Sequence, residues 1–384
     1  MLTSEAPVAP VAPAPLVPAK TMHLGQVDGL RTVAIFWVAL YHYAVFWSPA
    51  GAGLNLLPYG DALAWIPFAK VGYLGVYLFF IVSGFVIALS LQRSRGFLHF
   101  AKLRAIRLWP TLLICGSLTF AITTLFGPPD LARGPLEYLI SLTFIPPPHL
   151  GKVIGMSDLE WLDGAYWSLW TEVRFYIIVG MFYAMSRTRF LSLWAGFAIY
   201  SMGVHLAGLA SGGSFEALSR LIFAEYQPYF SAGIAIAALR AAQANSGQAN
   251  TGQSSAGQIS APLALLALSI LQAFAYPWLA AGSLSISVFL GLVFVFALAL
   301  FAMLSKRQIP FLGSRSMVML GTASYAYYLL HQNLGLAVLA RINPTNEAVG
   351  IAVMVLIQVI IMSAAILLTF QIEAPLRKFL RSRT

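Results

Sequence analysis

The sequence predicts an all-α protein, a polytopic transmembrane bundle of about ten helices. Composition is the first reason. Of 384 residues, 59% are apolar and only 9% are charged, where an average soluble domain carries roughly 25% charged residues to face water. The second reason is a series of apolar stretches near 32–48, 71–91, 108–127, 166–185, 190–210, 218–239, 261–281, 283–304, 317–340 and 349–372. A helix rising about 1.5 Å per residue needs roughly 20 of them to cross a hydrocarbon core. The first stretch is short for this, and the sixth is interrupted by Glu225 and Pro228. The third reason is the placement of basic residues. With the N-terminus in the cytoplasm and sides alternating, 17 of the 23 Lys and Arg fall in inside segments and 5 in outside ones, with Arg174 within a span. Cytoplasmic loops carry that excess, and the opposite orientation would invert it.

The net charge of +10 is therefore topological and does not point to nucleic acid. Residues 1–20 are rich in Pro and Ala, lack a basic n-region, and read as a disordered cytoplasmic tail rather than a signal peptide. Residues 21–376 form the transmembrane domain, interrupted at 241–260 by an uncharged Gly/Ser/Gln/Asn segment expected to be a flexible cytoplasmic linker. Residues 377–384 form a basic cytoplasmic tail. The longest outside loop, 128–165, is proline-rich and long enough to lie over a membrane mouth. Cys115 is the only cysteine, which excludes an intrachain disulfide.

Ionisable side chains inside spans are costly and mark function or a structural pair. Arg31 and His42 are eleven residues apart on the first span. That spacing returns to nearly the same helix face about 16 Å further along. Arg104 and Arg107 enter the third span three residues apart, on one side of a turn. Guanidinium forks suit phosphate oxygens, although a cytoplasmic anchor explains them equally. Glu172 and Arg174 lie in the fourth span at a spacing that faces them apart, so each needs its own partner. His331 lies in the ninth span and is as readily structural as functional. The alternating topology puts His42, Glu172 and His331 within roughly 9–14 Å of the outer boundary. Arg31, Arg104 and Arg107 gather near the inner one.

Six segments then resemble one family, the acyltransferase 3 family of membrane O-acyltransferases. They are Asp28-Gly-Leu-Arg31 followed by His42, the Gly75–Phe85 run containing Ser83, and Arg104-Ala-Ile-Arg107-Leu-Trp-Pro110. Trp167–Tyr176 with Glu172 and Arg174, Ser324–His331 with Tyr325, and Glu373-Ala-Pro375 complete the series. The resemblance implies transfer of an acyl group, often acetyl, from cytoplasmic acyl-CoA to a hydroxyl, usually on a carbohydrate or glycolipid, with no metal. The setting is then an inner, bacterial cytoplasmic membrane. Arg31, Arg104 and Arg107 are the donor-binding candidates and His42 the catalytic histidine, with Glu172 the residue to orient it. Asp28, Ser83, Arg174, Tyr325 and His331 are further site candidates. His42 fits a general base, and a transient acyl-imidazole nucleophile stays open. A transporter or flippase using the same buried charges is the alternative, weakened by the lack of a visible inverted repeat.

The topology is testable by cysteine-accessibility labelling. A cysteine at position 150 should react from outside and one at position 98 from inside. The reverse pattern overturns the orientation.

Overall fold

An apolar stretch in lipid has no water to satisfy its backbone N–H and C=O groups, which leaves it the helical ladder. The computed structural model describes residues 25–51, 55–156, 158–211, 213–246, 256–305 and 307–382. Helix makes up 78% of the structure, with no strand among the described residues. Helix α1, Gly25–Tyr41, continues into a π-turn at His42–Phe46. Helices α2 (Leu74–Leu91) and α3 (Phe97–Phe126) follow. The loop 128–165, expected on the outside, folds as two short helices, α4 (Pro135–Ser141) and α5 (Pro147–Ile154), then a 3-10 turn leading into α6 (Trp167–Met185). Next come α7 (Phe190–Ala210), short α8 (Glu216–Leu221), α9 (Gln227–Ser246), α10 (Ala256–Ala281) and α11 (Ile286–Leu304). The chain closes with α12 (Arg315–Leu330), α13 (Asn333–Ile342), α14 (Glu347–Leu367), a π-turn at Leu368–Glu373, and α15 (Ala374–Ser382).

Seven segments are long and apolar enough to cross a membrane: Gly25–Phe46, Leu74–Leu91, Phe97–Phe126, Phe190–Ala210, Ile259–Ala281, Ile286–Leu304 and Glu347–Ser382. Three of the ten expected spans fall short, each for a physical reason. Helix α6 carries Glu172 and Arg174, and α9 opens on Gln227-Pro228 and carries Arg240. The stretch expected at 317–340 breaks at His331–Gln332 into α12 and α13. Helix α9 is buried on every side from Tyr229 to Leu239, so it meets protein rather than lipid and has less need of a uniformly apolar surface. Helix also enters both ends of the expected 241–260 linker, and the basic C-terminal segment is helical through Ser382. The tail expected over 1–20, the middle of the linker and the last two residues lie outside the described residues.

Helices pack closely where glycine removes the Cβ. Helix α1 meets the turn before α12 at Gly29 and α12 itself at Gly321. A Cβ on Gly29 would lie 2.2 Å from the Leu312 carbonyl oxygen, and one on Gly321 1.8 Å from that of Asp28. Helices α2 and α9 meet at Gly84 and Gly233, where a Cβ would come within 2.2 Å of the Phe230 oxygen and 2.1 Å of the Ile81 oxygen. Small residues that admit a neighbouring backbone are the usual basis of helix association in lipid. These contacts fix α1, α2, α9 and α12 as the inner scaffold. Gly84→Ala should therefore cost about 1–3 kcal/mol through overpacking. It should lower the melting temperature in detergent, whereas Gly196→Ala, with nothing within 4 Å of its Cβ position, should not. Equal melting of the two variants would refute this account of the packing.

Candidate active site

Two cavities meet inside the scaffold. The one on the side of the 128–165 loop, called the outer cavity after the expected topology, is about 620 Å³ and is lined by His42 and by a wall of aromatic rings that includes Tyr77, Trp161, Trp167 and Tyr226. Arg133, Glu160 and Trp161 from the outer loop also line it. The inner one, narrow at about 80 Å³, is lined by Arg31, Arg104, Arg107, Ser83, Glu172 and Tyr325, among others. Val76 and Tyr328 line both cavities and so form the wall between them.

Each candidate histidine sits at an irregularity of its helix. His42 opens the π-turn that ends α1, and His331 caps the C-terminus of α12 at the break. The two rings touch, with His42 Nδ1 2.9 Å from His331 Nε2. The other nitrogen of His331, Nδ1, lies 2.9 Å from the carbonyl oxygen of Tyr328. A carbonyl oxygen only accepts, so His331 Nδ1 carries a hydrogen. In the neutral ring Nε2 then holds the lone pair and accepts from His42 Nδ1–H. It follows that His42 Nε2 is the unprotonated nitrogen, and it has no protein partner among the described residues. Two hydrogen bonds thus set the tautomers of both rings.

The break behind His331 is held from three sides. Tyr43 Oη donates to the His331 carbonyl at 2.6 Å, and Gln358 Nε2 reaches the same oxygen at 3.4 Å. Asp163 is fully buried; its Oδ2 accepts from Asn333 N at 2.8 Å and its Oδ1 from Ala165 N at 2.9 Å. The outer loop is thereby fastened to the residue pair that follows His331. The sequence analysis singles out neither Asp163 nor Tyr43. The available signal was a lone acid one residue before a glycine at the entry to a helix, which is a capping pattern.

The inner cavity gathers the basic candidates and separates Glu172 from the histidine it was expected to orient. Glu172 Oε1 accepts from Ser83 Oγ at 2.9 Å and from the Tyr176 hydroxyl. The partner of His42 is His331 instead. Arg31 Nη1 pairs with Asp28 Oδ1 at 2.7 Å. Arg104 is only 9% exposed, lies over the Phe100 ring, and its Nε has no hydrogen-bond partner. No carboxylate lies within ion-pair distance of Arg104 or Arg107 among the described residues. Tyr325 Oη donates to the Leu108 carbonyl at 3.1 Å, on the turn just after Arg107. Arg174 belongs elsewhere. It stacks over Trp170 at 5.1 Å, donates to Thr171 Oγ1 and the Arg220 carbonyl, and lines a separate cavity beside α8. Among the described residues, no group of three or more His, Cys, Asp or Glu is placed to hold a metal.

Sequence comparison identifies the family. The profile of a family described as an acyltransferase domain, acyltransferase 3, matches residues 24–372. The chain belongs to this family. A protein named O-acetyl transferase from Shigella phage Sf6 is 28% identical over 159 residues, covering 40% of this chain and 44% of that protein. No solved structure matches. The family match encloses both cavities and every candidate residue, and it stops one residue before Glu373.

Burial pushes the Asp163 carboxyl up to about 6, against the opposing pull of the Asn333 and Ala165 amides and of Arg133. A carboxyl raised in the fold contributes stability that is present below its unfolded value near 4 and lost as pH rises through about 6. Asp163→Asn removes that titration. Its melting temperature should therefore gain on the wild type between pH 4 and 7, by up to about 3 kcal/mol in stability. Parallel curves over that range would contradict the role given to Asp163.

Proposed function

We propose that this membrane acyltransferase moves an acyl group, acetyl in the simplest case, from cytoplasmic acyl-CoA to a hydroxyl of a carbohydrate or glycolipid on the outer side. The observation that carries this is the His42–His331 hydrogen bond. It leaves a lone pair on His42 Nε2 at the edge of an aromatic-walled outer cavity that abuts a basic inner cavity. The name of the phage relative favours acetyl as the group and oxygen as its destination. Ring faces such as Trp161 and Trp167 suit the apolar faces of sugars. The bundle is read with both termini in the cytoplasm, and with α6, α9 and the α12–α13 pair completing about ten passages.

In this reading, His42 Nε2 takes the proton of the acceptor hydroxyl as its oxygen attacks the thioester carbonyl carbon. The tetrahedral adduct collapses, the C–S bond breaks, and the thiolate takes the proton from His42. The imidazolium formed between these steps keeps its Nδ1–H on His331, so the pair accepts a positive charge without moving. A carboxylate in that place would add attraction for the charge, as in a Ser-His-Asp triad. His331 supplies orientation and tautomer only. Arg104 and Arg107, without carboxylate partners, hold phosphate oxygens of the donor. Glu172, fixed by Ser83 and Tyr176, balances the guanidiniums around the thin arm of the donor.

Purified protein given acetyl-CoA and acceptor glycan should release free CoA and yield acetylated glycan by mass spectrometry; a carrier releases no CoA. His42→Ala should lower transfer by about 10²–10⁴-fold while the protein stays folded. His331→Leu should lower kcat with the donor KM unchanged. His331→Gln, whose amide oxygen still accepts from His42 Nδ1, should recover part of the loss. Wild-type turnover in folded His42→Ala would end the assignment.

A further inference from the structure

A third cavity adjoins the outer one, and its polar residues have no part in the reaction above. It measures about 560 Å³ and lies among α5, the first turns of α6, the end of α7 and α8. Trp161, Trp167 and Tyr226 line both this cavity and the outer one, so the two share a wall of rings. Each has the volume of a small-molecule site, roughly 300–1000 Å³. A ligand that filled the outer cavity and continued past those rings would enter the third. Phe223, also in the lining, takes a left-handed φ of 46°, a rare conformation for a bulky residue. It sits in the turn that brings Glu225 and Tyr226 to the cavity. Backbone strain of this kind collects at ligand sites.

Two of the lining side chains keep hydrogen-bonding capacity in hand. Arg174 donates from Nε to the Trp170 carbonyl at 3.3 Å, from Nη2 to Thr171 Oγ1 at 3.0 Å, and from Nη1 to the Arg220 carbonyl. That uses three of its five N–H groups. The other two have no acceptor among the described residues, and no carboxylate lies within ion-pair distance. Glu225 lines the same cavity with no cation within that distance. Its neighbour is the Tyr226 hydroxyl, and a carboxylate has about four acceptor positions. The charges that do pair here are Arg220 and Glu216, on α8. A donor fork and a carboxylate are thus held apart in one cavity. A plain anion would meet Glu225 there and a plain cation would meet Arg174, each at a cost. Adjacent sugar hydroxyls both donate and accept, and so satisfy the two at once.

We propose that the third cavity is a second saccharide subsite, in which Arg174 and Glu225 hold a neutral sugar joined to the one that is acylated in the outer cavity. This rests on the carbohydrate-acceptor reading above. The test is acetyl transfer from acetyl-CoA by the full-length protein in uncharged detergent, followed as CoA release. The acceptors are the methyl glycosides of glucose, galactose, rhamnose and N-acetylglucosamine, and the α- and β-linked homodisaccharides of the same four sugars. At least one disaccharide should exceed its own monosaccharide by about ten- to a hundredfold in kcat/KM, the worth of one or two hydrogen bonds to charged groups. The difference should lie in KM, as for binding that ground and transition states share. In Arg174→Ala and in Glu225→Ala the ratio should fall toward one, and Arg174→Lys should keep only part of it. Arg341→Ala removes an exposed arginine from the last turn of α13, outside all three cavities, and should keep the ratio. Both acceptors are measured on one preparation, so any loss of folded protein cancels. If Arg174 serves only to tie α6 to the end of α8, its replacement leaves the ratio where it was. That result, or a wild type with no disaccharide preference in any pair, overturns the subsite and leaves the carbohydrate reading intact. A wild type that releases CoA with none of these sugars overturns both.

Discussion

A helix that breaks inside a bilayer must find partners for the backbone groups it frees, and much of this site follows from how the α12–α13 break meets that demand. The His331 carbonyl takes Tyr43 Oη and Gln358 Nε2, and Asn333 N takes Asp163. Those partners come from α1, α14 and the outer loop, so the break draws three distant parts of the chain to one point. The same break leaves His331 in the interior with its Nδ1 committed to a carbonyl. That commitment passes to His42 as a choice of tautomer. A single peptide interruption therefore orders the electronic state of a residue 289 positions away.

The helical class was legible because the bilayer writes itself into composition, and the boundaries at 190–210 emerge where the apolar pattern puts them. The internal helices were harder to read. Helix α9 is shielded by neighbours, so its sequence is free of the lipid constraint that makes a span visible. The α12–α13 break carries no Pro or Gly at 331–332, and its partners are far off in sequence. Neither signal exists locally. The alternating topology puts Arg31, Arg104 and Arg107 at one membrane level, and the three do line one cavity. The pairing of His42 was not legible, because depth restricts distance along the membrane normal and says nothing about azimuth. Glu172 and His331 lie at similar expected depths. Only the packing of glycine-faced helices decides which of them reaches His42.

The two π-turns repay comparison. One ends α1 at His42 and the other ends α14 before α15. Each inserts a residue into a helix without ending its hydrogen bonding, so a side chain is re-aimed at small cost. At His42 the re-aimed group meets His331. At Glu373 it meets Arg377 and sets the side from which α15 approaches α3. Both devices act at the end of a helix whose body is ordinary apolar packing, which keeps the geometric demands of the site away from the surfaces that hold the bundle together.

The wall at Val76 and Tyr328 has a further consequence. Tyr328 Oη is tied to the Ala165 carbonyl at 2.6 Å and to Ser168 Oγ at 2.8 Å, so the ring is bolted to the start of α6. A bundle with a polar cavity on each side is one displaced side chain from being a pore. In an energised membrane every proton that crossed would dissipate about 2.3 kcal/mol per 100 mV. A fixed phenol and a valine are what stand between the two cavities. The hydrogen bonds on one tyrosine hydroxyl therefore bear on the host membrane's ion gradient, which lasts only while the two cavities stay apart.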